Sequence, residues 1–553
     1  MNKIFRFSPL RKRCGREAFF IGRHSKNFFG GIVKFVLRCY NEYTKIGKEF
    51  YKMDVTTAKQ TFLTNQKKLM AFRHAGGVMY YDSVTAAPAG SEYPMSKTGE
   101  VFAEETFKLS KSEEMVEAIC CLYEHREELD YVLRREVEEE YKHYERTKLI
   151  PMEEYIEYSR ISNEAQYAWH RAKNENDYAS FEPLLSKVVA MQKKFAQYEN
   201  PDKPAYDVLL DRYEKGLSIE VLDRFFGLLK EKLVPVIHAV CEKKQLDDSF
   251  LSRRYPVADQ RIFSDYLMEV LGIDRNFCCI GETEHPFTTS FTKKDVRITT
   301  HYHENALASS MYSVIHEGGH ALYELNPGDE LLDSPLSGGT TMGMHEAQSR
   351  FFENIVGRSQ GFIEAIMPRM KEIFPEQLKD VTAEMMYRAV NKSEPSLIRT
   401  EADELTYPIH VMIRYEIEKM LFNGSVTTKE LPELWNRLYK EYLGVDVPND
   451  TQGVLQDSHW SGGMLGYFPS YAIGSAYAAQ IYHHMKKELD AEKLIAEGNL
   501  KPIVEWLTEH IYKYGGLKKP DELMLICCGE PFDANYYVDY LTDKFTKLYG
   551  LDK

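Results

Sequence analysis

Two histidines four residues apart flank a glutamate in the stretch His316-Glu317-Gly318-Gly319-His320. On an α-helix that spacing puts both imidazoles on one face, where they can share a metal ion. Glu317 then lies near the same ion, placed to take a proton from a water and pass it to a leaving amine. That is the working part of a metal-dependent peptidase, although a solvated helix face with a His–Glu pair would carry the same letters. A tetrahedral site needs a third protein ligand and keeps its fourth position for water. Glu346, 26 residues beyond His320, follows a polar loop and stands where the chain returns as a second helix. His345 and Glu353 are its rivals, and spacing favours Glu346 without excluding either.

Gly318 and Gly319 cost a helix about 1 kcal/mol each relative to alanine. A helix that accepts this cost is expected to have something close against its backbone. The candidates are a small β element near the site or a substrate lying along the helix; a locally weak helix is the alternative.

The elements that must position these residues are mostly helical. From about 54 to 275, apolar residues recur three and four apart, with acid–base pairs at helical spacing between them. Pro151, Pro183, Pro201 and Pro204 are expected to mark helix starts or turns. Near 285 the texture changes to threonines and aromatics in alternation, predicting two short strands around a Lys293-Lys294 turn. Helical texture resumes at about 304 and runs to the end, broken by Gly-rich loops near 337–343 and 461–466.

The 553 residues are 43% hydrophobic and 28% charged, enough for a large core. The net charge of −14 argues against nucleic acid or an acidic membrane as a partner. Apolar runs are too short to span a bilayer. Residues 1–52 differ from the rest, with 13 Lys+Arg against 3 acidic residues. This basic, aromatic head is expected not to belong to the fold. Upstream sequence read from too early a start is preferred to a targeting presequence or a basic arm, because Met53 opens what reads as an ordinary domain start. The domain is therefore placed at 53–553. Six of the nine cysteines form vicinal pairs, which suits reduced thiols in a cytoplasmic protein better than a disulfide framework or a zinc cluster.

Further motifs make a family resemblance specific. They are Asp295-x-Arg297-x-Thr299, the 316–320 stretch, His345-Glu346-x-Gln348-Ser349-Arg350, Ile398-Arg399-x-x-Ala402-Asp403 and Gly453-x-x-Gln456-Asp457-x-His459-Trp460. In this order, from about residue 60 to 550, the chain resembles the carboxypeptidase Taq family of metallocarboxypeptidases. Tyr81-Asp82-Ser83-Val84-Thr85-Ala86-Ala87-Pro88 departs from the family's pattern, with Tyr for Trp and Ala for Met.

The resemblance implies one large, mostly α metallopeptidase domain of the neurolysin/ACE-like kind, with a deep active-site groove and a small β element beside the metal. It implies that Glu346 is the third ligand, that one divalent ion is bound, with zinc as the default and cobalt plausible, and that the protein is a homodimer acting on peptides. His459 or Tyr467 is expected to donate to the oxyanion. Arg399 is expected to hold a peptide's C-terminal carboxylate, because guanidinium matches that group with two hydrogen bonds. Arg297, Asp295, Arg350, Gln456 and Asp457 are expected along the groove. A structural Asp295–Arg297 bridge, and an Arg399–Asp403 pair on one helix, are the alternatives. Asp403 is otherwise expected to orient a ligand histidine. A helical oligopeptidase or dipeptidase with the same site, and a non-catalytic scaffold, are the competing functions.

Overall fold

Ser112, Asp130, Asp177 and Ser218 each precede a helix and accept a hydrogen bond from the backbone N–H three residues on. Such caps satisfy amides that the first turn leaves without partners. They start helices Glu113–Glu124, Tyr131–Thr147, Tyr178–Glu199 and Ile219–Cys241 of the computed structural model. It describes residues 53–551; the basic head and the expectations attached to it lie outside the described residues. From Val55 onward the described residues form one unit.

Pro151 and Pro204 stand just before helices, as expected. Pro183 does not: it lies in the second turn of Tyr178–Glu199. There its missing N–H costs one bond near a helix start and leaves the remaining ladder intact.

Four helices supply residues around the site, and two more pack behind them. The six are α1 (Val55–Thr85), α2 (Leu307–Leu325), α3 (Met342–Arg350), α4 (Tyr407–Asn423), α5 (Pro469–Met485) and α6 (Asn535–Tyr549). The two behind are α1, on the small sheet, and α6, on α5. α2 carries the 316–320 stretch through the middle of the core, with Leu307, Met311, Val314, Ile315, Ala321 and Leu322 buried. A helix apolar on most sides belongs inside, because no face of it gains by contact with water. α3 is only nine residues long and runs into a π-helical turn, Phe351–Val356. Against α3 lies α5, whose Ala472, Gly474, Ser475, Ala476, Ala478 and Ala479 are small enough for close helix packing.

The β element has three strands, β1 (Cys278–Glu282), β2 (Thr288–Thr292) and β3 (Asp295–Thr300), in the order β1-β3-β2. β2 and β3 form the expected antiparallel hairpin around Lys293-Lys294. β1, which lies between the helical stretch and the predicted hairpin and is not itself predicted, adds to β3 in parallel. Its five residues contain a glycine and no clean alternation, too little pattern to announce a strand. Val296 and Ile298 of β3 are fully buried, and the sheet rests on α2.

Candidate metal centre and active-site cleft

His316 and His320 stand one turn apart on α2, and Glu346 comes from α3. One ligand atom from each lies within 4.8 Å of the other two. Glu346 Oε2 is 3.8 Å from His316 Nε2 and 3.7 Å from His320 Nε2. A tetrahedral ion with bonds of about 2.0–2.2 Å needs ligand atoms roughly 3.3–3.5 Å apart, so the three fit a metal with small adjustments.

The backbone makes this approach possible. A Cβ on Gly319 would lie 2.6 Å from the carbonyl oxygen of Gln348 and 2.8 Å from the Cα of Ser349. A Cβ on Gly474 of α5 would lie 2.7 Å from the Cβ of Glu346 and 2.8 Å from the carbonyl oxygen of Gly343. α3 is thus held between two glycines on different helices. Gly318 faces the Leu271 side chain, 2.5 Å from such a Cβ. The paired glycines therefore admit a neighbouring helix and a core leucine, and neither the sheet nor a substrate.

The rival ligands occupy the positions behind the histidines. Glu353 Oε2 accepts from His316 Nδ1 at 2.8 Å; in the neutral ring this leaves Nε2, which faces Glu346, as the free ligand atom. The Nδ1 atoms of His320 and His345 lie 2.7 Å apart, and His345 Nε2 is 2.7 Å from Glu324 Oε1. Arg350 donates to Glu346 Oε1 at 2.6 Å and to Glu353 Oε2 at 3.0 Å, while Arg358 reaches Glu353 Oε1 at 3.2 Å. Burial works against ionising Glu353, but Arg350, His316 and Arg358 outweigh it and hold its carboxyl far below the usual range. Burial, with His345 and His316 adding to it, pushes His320 well below the usual imidazole value.

Glu317 is buried beside the same centre and receives a hydrogen bond from the Thr288 hydroxyl of β2, 2.6 Å from its Oε2. Burial raises its carboxyl, partly opposed by His316 and Thr288. An acid lifted in this way can hold a proton between two steps of a hydrolysis.

His316, Glu317, Glu346, Arg350 and Glu353 form part of the wall of a cleft of ≈ 770 Å³ that also reaches Arg399, Tyr407 and Tyr471. Arg399 is nearly buried in a 3₁₀ turn, Arg399–Glu401, instead of on a helix with Asp403. Its Nε and Nη2 donate to Asp457 Oδ1 at 3.2 and 2.9 Å, and Nη1 to the Tyr407 hydroxyl at 3.2 Å. Arg414, fully buried, takes the other oxygen of Asp457 at 2.8 Å. Gln456 accepts from the Arg399 backbone N–H and from Arg414. Gln456 and Asp457 are thus supports of Arg399 with their polar atoms already engaged. Arg399 keeps N–H groups beyond these bonds.

Other expected positions come out differently. Asp403 accepts from the backbone of Leu405 and Thr406 and from the Thr406 hydroxyl. It caps the approach to α4 and touches neither imidazole; the groups behind those rings are Glu353 and His345. Arg350 braces Glu346. Arg297 and Asp295 pair through two bonds of 2.9 Å, and the guanidinium stacks over Tyr81 and Phe291, tying the hairpin to α1. His459 Nε2 lies 3.2 Å from the Tyr471 hydroxyl, while Tyr467 packs its ring against Tyr213 and His459. Burial pushes His459 down to about 4, so its ring is neutral at pH 7. Tyr471, four residues beyond Tyr467, lines the cleft, whereas Tyr467 and His459 do not.

A family model described as carboxypeptidase Taq (M32) metallopeptidase matches residues 61–545. The chain belongs to the carboxypeptidase Taq family. "Carboxypeptidase 1" of Bacillus subtilis is 39% identical over 502 residues, covering 90% of this chain and 100% of that protein. "Thermostable carboxypeptidase 1" of Thermus thermophilus is 38% identical over 418 residues, covering 74% and 82%. Among solved structures, the M32 carboxypeptidase of Deinococcus radiodurans R1 superposes with a TM-score of 0.87 at 32% identity, covering 90% of this chain and 100% of that one. The carboxypeptidase Taq fold is therefore the one described above, a predominantly helical body with a single small sheet.

Sequence reading missed Thr288, Glu324, Arg414 and Tyr471. Thr288 was readable only as a strand residue, and Arg414 only as one residue of the helical stretch after 304. Tyr471 had a signal, its place in the Gly-rich segment after Trp460, but its neighbour Tyr467 carries the same one.

Proposed function

We propose that this carboxypeptidase Taq protein holds one divalent ion on His316, His320 and Glu346 and removes residues from the C-termini of peptides. The convergence of those three ligand atoms in a cleft that also contains Arg399 carries the reading. Two imidazoles and a carboxylate suit zinc first, and cobalt is accepted by the same set. Bound there, the ion supplies Lewis acidity to the scissile carbonyl and to the attacking water.

Glu317 takes the proton of the attacking water and returns it to the departing amine, held in line by Thr288. Tyr471, backed by His459, donates to the developing oxyanion, and Tyr467 supports the His459 ring. Arg399, fixed by Asp457 and Gln456, uses its remaining N–H groups to receive the terminal carboxylate. Arg350 holds Glu346 in place through the bond to its Oε1. The seven cysteines among the described residues are free thiols, which supports a reducing, cytoplasmic setting. No helix of the described residues is long and apolar enough to cross a membrane. A homodimer is the expected assembly, on the family resemblance.

Mass spectrometry of peptide digests, with and without a chelator, tests this. Stepwise loss of C-terminal residues, stopped by chelation and by amidation of the peptide's C-terminus, is the expected result. Undiminished cleavage of amidated peptides would remove the exopeptidase assignment and leave an oligopeptidase.

A further inference from the structure

The two ligand histidines are supported differently. His316 donates directly to a carboxylate, Glu353. Behind His320 stands a second imidazole, His345, with a carboxylate one step further back, each contact 2.7 Å. We propose that His345 and Glu324 are positioning residues that fix the ring orientation and tautomer of His320, and so set the affinity of the centre for its metal. The inference rests on the metal-centre reading above and adds two residues to it.

The hydrogen-bond logic admits one arrangement. To ligate through Nε2, His320 must carry its proton on Nδ1, and that proton points at His345 Nδ1. His345 accepts there, so its own proton sits on Nε2 and is donated to Glu324, which as a carboxylate can only accept. Glu324 is anchored in turn by the backbone N–H of Gly339 at 3.0 Å, and a Cβ on Gly338 would lie 3.2 Å from its Oε1. The loop that holds Glu324 is the one that leads into α3. One short segment therefore references both His320 on α2 and Glu346 on α3. Glu324 is buried and both imidazoles are partly buried, and the 2.7 Å contacts exclude an intervening water.

Zinc affinity of the purified full chain, measured by competition with a chromophoric chelator, tests the relay. Circular-dichroism melts of the same metal-free samples report folding. His345→Leu is expected to weaken zinc binding roughly 10–100-fold. His345→Gln should recover most of that loss, because its amide offers an acceptor to His320 and a donor to Glu324. Glu324→Leu should weaken binding in the same direction without touching His320. Equal affinity in wild type and His345→Leu would overturn the relay, as would Gln performing no better than Leu. Should His345→Leu not fold, wild-type affinity in Glu324→Leu overturns the proposal and weakened affinity supports it. A wild type that takes up no zinc overturns the metal-centre reading together with the relay, so the two failures are distinguishable.

Discussion

Gly474 meets Glu346 at the root of its side chain: a Cβ at 474 would stand 2.7 Å from the Cβ of Glu346. With Gly319 pressing from the opposite side, the position of the carboxylate is set by how closely three helices can approach, before any ion enters. Replacing either glycine by alanine should push α3 away. Overpacking of this kind costs about 1–3 kcal/mol. Gly319→Ala is expected to lower the melting temperature and to weaken zinc binding, because the obstructing atoms are backbone. Gly318→Ala should be far milder, since the Leu271 side-chain tip can move and alanine returns up to about 1 kcal/mol of helix propensity. Thermal melts and metal titrations of both variants check this; equal behaviour of the two would contradict the clasp.

Glu317→Gln should reduce kcat by about 10²–10⁴-fold, the range for loss of a general acid–base group. Bound metal, counted by elemental analysis, should stay at the wild-type level. Thr288→Val removes only the hydroxyl that aligns the carboxylate and should cost roughly tenfold, about 1.4 kcal/mol of barrier. Turnover unaffected by Glu317→Gln would dismiss the proposed proton route.

Asp457 lies between two guanidiniums, those of Arg399 and Arg414. Burial disfavours its charge, but Arg414 and Arg399 hold it ionised far below the usual carboxylate range. Asp457→Ala would strand two buried cations, at a cost of about 3–5 kcal/mol, and urea unfolding should show it. Arg399→Lys keeps the charge but loses the planar fork, so KM for free-acid peptides should rise at least about tenfold while the fold survives. An unchanged KM would send the search for the carboxylate-binding group elsewhere in the cleft.

Glu418 on α4 accepts from Trp460, Tyr206 and the Gly466 backbone, each at 2.7 Å, and burial pushes its carboxyl up to about 7. A folded pKa above the unfolded value means that the folded state binds the extra proton. The resulting stability is complete below about pH 4.5 and is lost as pH rises through 7. The difference in unfolding free energy between wild type and Glu418→Gln should therefore move against wild type by roughly 3 kcal/mol between pH 4.5 and pH 8. Urea titrations across that range measure it, and a flat difference would show that the pKa is unshifted.

The parts of this molecule legible in its sequence are those written in local spacing. The His316–His320 interval, the run of apolar residues three and four apart, and the Lys293-Lys294 turn all encode geometry within a few residues. Glu346 was legible only as one of three candidates until the family motifs were set beside it, because the position of α3 is fixed by Gly319 on α2 and Gly474 on α5, 155 positions apart. Asp403 illustrates the converse. Four residues from Arg399, it invited an intrahelical pair, but the chain there forms a 3₁₀ turn and Arg399 takes a partner 58 residues away. β1 escaped notice because a parallel strand of five residues depends on its neighbour for definition.

Glu353, His345 and Arg350 hold the three ligand side chains through bonds that do not involve an ion. If the proposed centre is right, these bonds predict a site that keeps its shape without the ion, unlike small metal-dependent folds that collapse when their ion is removed. One preparation is then expected to stay folded while it is stripped and refilled with different divalent ions, which circular dichroism before and after chelation would check. Metal supply, together with the preference of two imidazoles and a carboxylate for zinc, would then decide which ion is carried.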